Sequence, residues 1–325
     1  MNAAVHDRYG DAGVIYVDRR PVPVVADDEV LVRVEAAGLD RGTWHLLTGQ
    51  PYLVRLAIGL RRPRVAVLGR DVAGRVVATG SAVHGLAVGD PVFGVATGSF
   101  AEYARAKERK LARTPDALSA VEAAVLGISG MTALQAIDAA QPTAGSSLLI
   151  IGASGGVGSY AVQIAHGRGA RVTGVSRAAK ADFVRSLGAE RVVAYDSAPD
   201  DEQRGPYDAI IDTGGDTPLS RLRSMLAPGG TLVIVGGEGG KGRVLGGFQR
   251  SLWAYAISPF VRQRLKPLLS LPKLADLEAL AGFLADGTLR PAIDRTFELS
   301  EVADAIRYLG TGQARGKVVV TVASA

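Results

Sequence analysis

The sequence of 325 residues contains no cysteine. This absence excludes disulfide bonds, thiolate zinc sites, iron–sulfur clusters and a cysteine nucleophile. The sequence also lacks a positively charged leader with an apolar core, and it has no apolar run long enough to cross a bilayer. We therefore expect a cytoplasmic protein without a membrane partner.

Acidic residues are fewer than basic ones, which gives a formal net charge of +5. A net positive charge is one signature of nucleic-acid binding. However, lysine and arginine are scattered, with small clusters at Arg61–Arg64 and Arg262–Lys266. Aromatic residues make up only 6% of the chain, and no nucleic-acid motif is present. We therefore expect a basic protein with many surface arginines and no nucleic-acid partner.

Length and periodicity predict two domains. The first third of the chain contains short predicted strands between glycine turns, whereas strands and helices alternate from Ser147 onward. This alternation favours an α/β fold with a doubly wound parallel sheet covered by helices on both faces. We expect residues 1–120 and 263–325 to form the β-rich domain and residues 121–262 to form the sheet domain.

The periodicity also predicts individual elements. We expect strands at Glu29–Ala36, Val72–Gly80, Asp90–Gly94, Phe100–Ala106, Leu148–Ile151, Arg171–Val175, Arg191–Tyr195, Asp208–Asp212, Thr231–Val235, Thr296–Glu298 and Lys317–Val322. We expect helices at Ala120–Ala140, with a break at Gly127–Gly130, and at Val157–Arg168, Ala178–Leu187, Leu219–Leu226 and Leu274–Ala285.

A glycine-rich turn between the strand Leu148–Ile151 and the helix Val157–Arg168 carries the main chemical signal. Small residues allow a tight turn and close approach of phosphates, and the helix N-terminus offers N–H groups and a positive dipole end. This strand–turn–helix context favours a dinucleotide pyrophosphate site over an ordinary turn. The residues expected to form it are Gly152, Ala153, Ser154, Gly155, Gly156, Val157 and Gly158.

The end of the next predicted strand indicates which dinucleotide binds. An acidic residue there would hold the ribose hydroxyls of NAD, but the strand ends in Ser176 and Arg177, with Lys180 shortly after. A hydroxyl and two cations suit the 2′-phosphate of NADP, so we expect NADPH. The alternative is that Arg177 and Lys180 are solvated at a helix entry. Tyr195 either adds a hydroxyl to the same pocket or packs in the core.

Six stretches, taken in order along the chain, resemble the zinc-free medium-chain dehydrogenase/reductases, and specifically the quinone oxidoreductase group. They are Gly69–Gly74, Val88–Gly94, Gly98–Tyr103, Gly130–Gln135, Ile151–Ala165 and Ala314–Val320. The resemblance implies a GroES-like catalytic domain plus a Rossmann domain, NADPH as cofactor and frequent homodimers. It also implies reduction of a quinone, or of a carbon–carbon double bond conjugated to a carbonyl.

The resemblance further implies that no metal is used. Zinc-dependent relatives hold the metal with two cysteines and a histidine, whereas this chain has no cysteine and carries Arg70 and Asp71 at their metal-site His-Glu. Another departure lies at Leu39–Trp44, where Asp40 replaces the usual asparagine. An ionised Asp40 cannot donate to a carbonyl, so it is expected either to pair with Arg41 or to orient a neighbour.

A metal-free reductase needs hydrogen-bond donors at the acceptor carbonyl. The candidates in this chain are Tyr52, His45 and Trp44, although a tryptophan here often packs and a lone histidine is often structural. By resemblance, Thr132 is expected to lie near the nicotinamide amide of the coenzyme. The alternative is that its hydroxyl bonds to the backbone of its own helix. Lys317 is expected either to reach a coenzyme phosphate or to sit on a surface strand.

Two further segments complete the expected site. Gly236 and Gly237 follow the strand Thr231–Val235, so they are expected along the nicotinamide half of the coenzyme. The apolar segment Phe248–Phe260 belongs, by resemblance, to the last Rossmann strand and the dimer surface, with a substrate lid as the alternative.

The predicted activity is NADPH-dependent quinone or enone reduction. A non-catalytic NADPH-binding protein of the same fold is the competing hypothesis.

Overall fold

The computed structural model describes residues 1–196, 205–236, 242 and 244–322. The chain divides into two compact units. The first unit consists of residues 1–131 and 272–325, and the second of residues 132–271. The two-domain expectation and the interruption of one domain by the other therefore match this division.

The first unit is built on a sheet of seven strands plus a two-stranded ribbon. The strands of this unit are β1 (Asn2–Val5), β2 (Tyr16–Arg19), β3 (Glu29–Leu39), β4 (Asp71–Thr79), β5 (Pro91–Val95), β6 (Tyr103–Lys107), β7 (Leu111–Arg113), β14 (Ile293–Glu298) and β15 (Lys317–Thr321). Strand order in the larger sheet is β14-β15-β3-β4-β5-β7, with β6 paired to β3. The C-terminal strand β15 lies antiparallel to β3, which returns the end of the chain to the first domain.

This unit also contains helices. They are α1 (Arg41–Thr48), α2 (Arg55–Ile58), α3 (Ala120–Ala123), α9 (Leu274–Ala285) and α10 (Val302–Gly310). The core is made mostly of valine, leucine and alanine from the strands, with Val302 and Ile306 of α10 packed against it. The half-buried Trp44 of α1 packs against the same core.

The second unit contains a six-stranded parallel sheet, with strands β8 (Ser147–Ile151), β9 (Arg171–Ser176), β10 (Arg191–Ala194), β11 (Tyr207–Asp212), β12 (Leu226–Val235) and β13 (Arg264–Leu268). Their order in the sheet is β10-β9-β8-β11-β12-β13. This order reverses between β8 and β11, which creates the crevice where open α/β sheets bind dinucleotides. The remaining helices are α4 (Gly127–Ala140), which begins in the first unit, α5 (Gly156–Gly167), α6 (Ala181–Ser186), α7 (Leu219–Ser224) and α8 (Phe248–Ile257).

The structure differs from the expected fold at one predicted strand, at one domain boundary and at one helix interruption. Residues Phe248–Ile257 form a helix rather than a strand, and the last strand of the parallel sheet is β13. The expected boundary at residue 262 is therefore wrong, because β13 pairs with β12 and belongs to the second unit. The interruption between α3 and α4 falls just before Gly127 rather than over Gly127–Gly130.

In the part of the chain that the structure describes, no helix is long and apolar enough to span a bilayer.

Candidate coenzyme site and active site

The turn after β8 can be formed only with glycine at two positions. Gly152 has φ +81°, a left-handed conformation that side chains rarely adopt, and a Cβ there would lie 2.4 Å from the Thr213 Oγ1. A Cβ on Gly158 would lie 2.1 Å from the Gly152 carbonyl oxygen. The first turn of α5 therefore packs directly against the backbone that leaves the strand.

The N-terminus of α5 has no side-chain cap, because its N-cap residue is Gly155. The N–H groups of Gly156, Val157 and Gly158 belong to the first helical turn, which has no acceptors within the helix. Together with the helix dipole they form an anion-binding cradle at the carboxyl edge of the parallel sheet. This geometry fits the predicted pyrophosphate site.

The end of the neighbouring strand β11 adds residues that the sequence analysis missed. The fully buried Asp212 carboxylate accepts hydrogen bonds from Gly214 N (3.0 Å) and Gly215 N (3.1 Å). The Arg250 guanidinium lies 2.7 Å from its other oxygen. These contacts hold the loop after β11 beside the glycine turn, where Thr213 donates to the carbonyl of Ile151. An aspartate that closes a buried strand at the switch point was the available signal.

The end of β9 presents one exposed cation. The Arg177 Nε donates to the Tyr195 hydroxyl at 3.0 Å, and both side chains are exposed, so packing of Tyr195 in the core is wrong. Ser176 is buried and its hydroxyl donates to the Arg177 carbonyl. Lys180 is also buried, so the alternative of a solvated Lys180 is wrong. Asp196, which the sequence analysis did not consider, accepts from Ala178 N at 2.8 Å.

Three other residues were predicted to contact the coenzyme. Gly236 follows β12 at the same carboxyl edge as Gly152 and Arg177, with φ +74°. Gly237 lies outside the described residues. Thr132 is buried on α4, where the second unit begins.

The predicted catalytic residues cluster along one segment of the first unit. The buried Asp40 caps α1, because its Oδ1 accepts from Thr43 N at 3.1 Å, whereas its Oδ2 has no hydrogen-bond partner among the described residues. Trp44 and His45 contact each other edge to face, with ring centroids 5.3 Å apart. The Asp40 carboxylate therefore fixes the start of α1.

The hydrogen bond between the His45 ring and the Gln50 carbonyl determines which ring nitrogen carries the proton. Its Nδ1 lies 2.6 Å from the carbonyl oxygen of Gln50, which can only accept a hydrogen bond. Nδ1 therefore carries the proton, and in a neutral ring Nε2 is an acceptor rather than a donor. Neutral His45 is thus a poor choice to polarise a substrate carbonyl.

Tyr52 is held by stacking. The Arg55 guanidinium lies between two aromatic rings, 4.5 Å from the centroid of Tyr52 and 4.4 Å from that of Tyr9. Arg55 is itself fixed by a hydrogen bond from its Nε to the Gly49 carbonyl. The Tyr52 side chain is 39% exposed, and its hydroxyl bonds to no other described residue. It is therefore a positioned donor with a free hydroxyl.

A buried ion pair lies beneath this segment. Lys317 is 1% exposed, and its ammonium donates to the Asp71 Oδ2 at 3.1 Å and to the Ser129 hydroxyl at 3.0 Å. The placement of Lys317 on a surface strand is therefore wrong. Burial raises the pKa of Asp71 to about 6, against the opposing effect of the Lys317 ammonium. The nearby Asp40 carboxylate contributes to this raised pKa.

The donor set does not fit a zinc ion. The chain has no cysteine, and the described residues contain no group of three or more histidine, cysteine, aspartate or glutamate side chains able to hold a metal. The position that carries a metal-site glutamate in zinc-dependent relatives holds Asp71, which is paired with Lys317.

Comparisons with known proteins bear on both units. A sequence profile described as "Alcohol dehydrogenase GroES-like domain" matches residues 26–116, and one described as "Zinc-binding dehydrogenase" matches residues 187–320. The chain is 33% identical to the chloroplast envelope quinone oxidoreductase homolog of Arabidopsis thaliana, over 98% of both proteins. The chain belongs to the medium-chain dehydrogenase/reductase family, in its quinone oxidoreductase-like group.

Two further relatives extend this assignment. The chain is 30% identical to the chloroplastic NADPH-dependent alkenal/one oxidoreductase of Arabidopsis thaliana, over 98% of this chain and 79% of the relative. The solved quinone oxidoreductase from Coxiella burnetii superposes with a TM-score of 0.86 at 29% identity, over 99% of each chain. The GroES-like and Rossmann-type domains of the medium-chain family are thus confirmed, and the protein is an oxidoreductase of this NAD(P)-dependent family.

Proposed function

We propose that this medium-chain reductase uses NADPH, without a metal, to deliver hydride to a quinone or to the C=C bond of an α,β-unsaturated carbonyl compound. The observation that carries the proposal is the glycine cradle at the N-terminus of α5, in a chain with no cysteine to hold zinc. The exposed Arg177 at the end of β9 supports NADPH over NADH. The relatives named quinone oxidoreductase and alkenal/one oxidoreductase support quinones and alkenals or enones as acceptors.

In this proposal the chain's own residues bind the coenzyme and polarise the carbonyl group of the acceptor. NADPH, when bound, supplies the hydride to the β-carbon of an enone, so negative charge develops on the carbonyl oxygen. The Tyr52 hydroxyl is our candidate to donate a hydrogen bond to that oxygen, because it is positioned by Arg55 and has no other partner in the described chain. A proton must then reach the α-carbon or the oxygen.

Turnover on a panel of acceptors tests this activity. We expect NADPH oxidation with at least one acceptor among 1,4-naphthoquinones, simple enones and enoyl thioesters, followed as loss of NADPH absorbance. Added zinc or a chelator should leave the rate unchanged. Tight NADPH binding without oxidation by any acceptor would favour a non-catalytic coenzyme-binding protein of the same fold.

The coenzyme preference depends on Arg177. In the R177A variant we expect the apparent KM for NADPH to rise roughly 10- to 100-fold, because a charge-assisted hydrogen bond to the 2′-phosphate is lost. The KM for NADH should change little. Arg171→Ala is the matched control, since Arg171 is exposed on the same strand but at its amino end. Equal effects of R177A on both coenzymes would contradict the assignment.

A further inference from the structure

One stretch of the first unit is strongly cationic and carries no opposing charge. Between residues 41 and 70 there are six arginines and no aspartate, glutamate or lysine. The 2′-phosphate site and the proposed hydride transfer use none of the arginines in the second half of this stretch. Three of them, Arg61, Arg62 and Arg64, are exposed.

Large apolar side chains are exposed among these arginines. Leu56 is 64% exposed and Leu60 is 66% exposed. We define the arginine–leucine patch as the exposed residues Leu53, Leu56, Leu60, Arg61, Arg62, Arg64 and Val65. Isolated exposed leucines are common, but several within a dozen residues, interleaved with cations, indicate an interaction surface.

The patch has a defined backbone. The Tyr9 hydroxyl donates to the Gly59 carbonyl, and Arg64 N donates to the Ile58 carbonyl at 2.8 Å. The Arg64 side chain donates in turn to the Ala57 carbonyl. The leucines and arginines are therefore presented together by a hydrogen-bonded turn.

A small cavity adjoins the patch. It has a volume of about 230 Å³, and its lining includes Arg64, Val65, Thr97, Tyr103 and Arg105. The Arg64 guanidinium and the hydroxyls of Thr97 and Tyr103 are donors that a phosphodiester group accepts from, whereas the Arg105 guanidinium lies 3.5 Å from the Glu29 carboxylate.

We propose that the arginine–leucine patch docks this protein on the surface of an anionic phospholipid bilayer. The leucines would enter the boundary between headgroups and acyl chains while the arginines contact lipid phosphates, which is how amphipathic surfaces bind membranes without crossing them. Charge complementarity decides the partner, because an arginine-rich segment without acidic residues attracts an anionic surface. The exposed leucines favour lipid over nucleic acid, which offers no acyl phase.

The patch begins one residue after Tyr52, the candidate donor. Docking would therefore bring that part of the first unit next to acceptors dissolved in the bilayer, such as quinones with long apolar tails. This statement about the substrate rests on the proposed function, whereas bilayer docking itself does not.

Sedimentation with lipid vesicles tests the docking. We expect the full-length protein to sediment with vesicles of equimolar phosphatidylcholine and phosphatidylglycerol at physiological ionic strength, and not with phosphatidylcholine alone. The R61Q/R62Q variant should bind the anionic vesicles roughly 30-fold more weakly. The L56S/L60S variant should also bind more weakly, with its charge unchanged. The matched control R33Q/R109Q removes two exposed arginines of the same unit outside the patch and should bind like the wild type.

Three results would overturn the docking. The wild type could remain in the supernatant with anionic vesicles. The control R33Q/R109Q could lose as much binding as R61Q/R62Q, which would assign the effect to net charge alone. Finally, the patch variants could leave vesicle binding intact while abolishing binding to an acidic acyl carrier protein, which would assign the patch to a protein partner. Because vesicle binding requires no turnover, it can fail or succeed independently of the proposed reaction.

Discussion

In the K317M variant, the free energy of unfolding is expected to keep falling as the pH rises above about 6, by up to about 1.4 kcal/mol for each pH unit. Asp71 should make no comparable contribution in the wild type over that range. The cause is the buried Asp71 carboxyl, which loses its counter-charge when Lys317 is replaced. Its burial and the neighbouring Asp40 then raise its pKa without opposition from Lys317.

The sign follows from proton linkage. In the wild type the pKa of Asp71 is raised from 3.8 to about 6, so the folded state holds this proton more firmly than the unfolded state. Asp71 therefore stabilises the folded state most at a pH below 3.8. This stabilisation is lost as the pH rises from 3.8 to about 6, and above about 6 the contribution of Asp71 no longer changes with pH. Without Lys317 the folded pKa rises further, so the loss continues to higher pH.

Urea unfolding at a series of pH values measures this difference. The W253F background leaves Trp44 as the only tryptophan, so its fluorescence reports the first unit. The double variant D71N/K317M is the control, because it has neither charge and should remove the extra pH dependence. A K317M variant whose stability parallels that of the wild type above pH 6 would show that the pair does not govern the ionisation of Asp71.

The G158A variant is expected to weaken NADPH binding roughly 10- to 100-fold and to lower the free energy of unfolding by about 1–3 kcal/mol. The added Cβ would lie 2.1 Å from the Gly152 carbonyl oxygen and 2.8 Å from the Ala153 Cα. Both contacts are with backbone, so the first turn of α5 must move away from the turn that follows β8. The N–H groups that we propose to bind the coenzyme phosphates then move with it.

Titration calorimetry with NADPH gives the affinity of this variant directly. G282A is the matched control, because Gly282 lies within α9 and a Cβ there meets nothing within 4 Å. That control should bind NADPH normally and be slightly more stable, since alanine is the better helix former by up to about 1 kcal/mol. Unchanged NADPH affinity in G158A would place the pyrophosphate elsewhere.

The parts of the fold that local patterns determine could be predicted closely. The helix α9 begins and ends at the predicted residues, Leu274 and Ala285. The strand–turn–helix around Gly152 was also predictable, because its glycines are needed locally for backbone conformation and close packing. Length and periodicity predicted two domains, and the family resemblance identified their folds as GroES-like and Rossmann.

Long-range contacts could not be predicted in the same way. Lys317 pairs with Asp71, which is 246 residues away in the sequence, so no local pattern reports its burial. The segment Phe248–Phe260 was expected by resemblance to belong to the last strand, but Phe248–Ile257 forms a helix. Its apolar residues alone do not distinguish strand from helix. The capping role of Asp40 was locally visible, since an aspartate before a helical segment is a preferred N-cap residue.

The location of the transferred hydride tests the proposed reaction most directly. NADPH carrying deuterium on the transferred C4 position should be oxidised with an enone acceptor, and the product analysed by NMR and mass spectrometry. Our proposal predicts a saturated ketone with deuterium on the former β-carbon. Deuterium on the carbonyl carbon of an alcohol product would contradict it, because that result is the carbonyl chemistry of an alcohol dehydrogenase rather than reduction of a conjugated double bond.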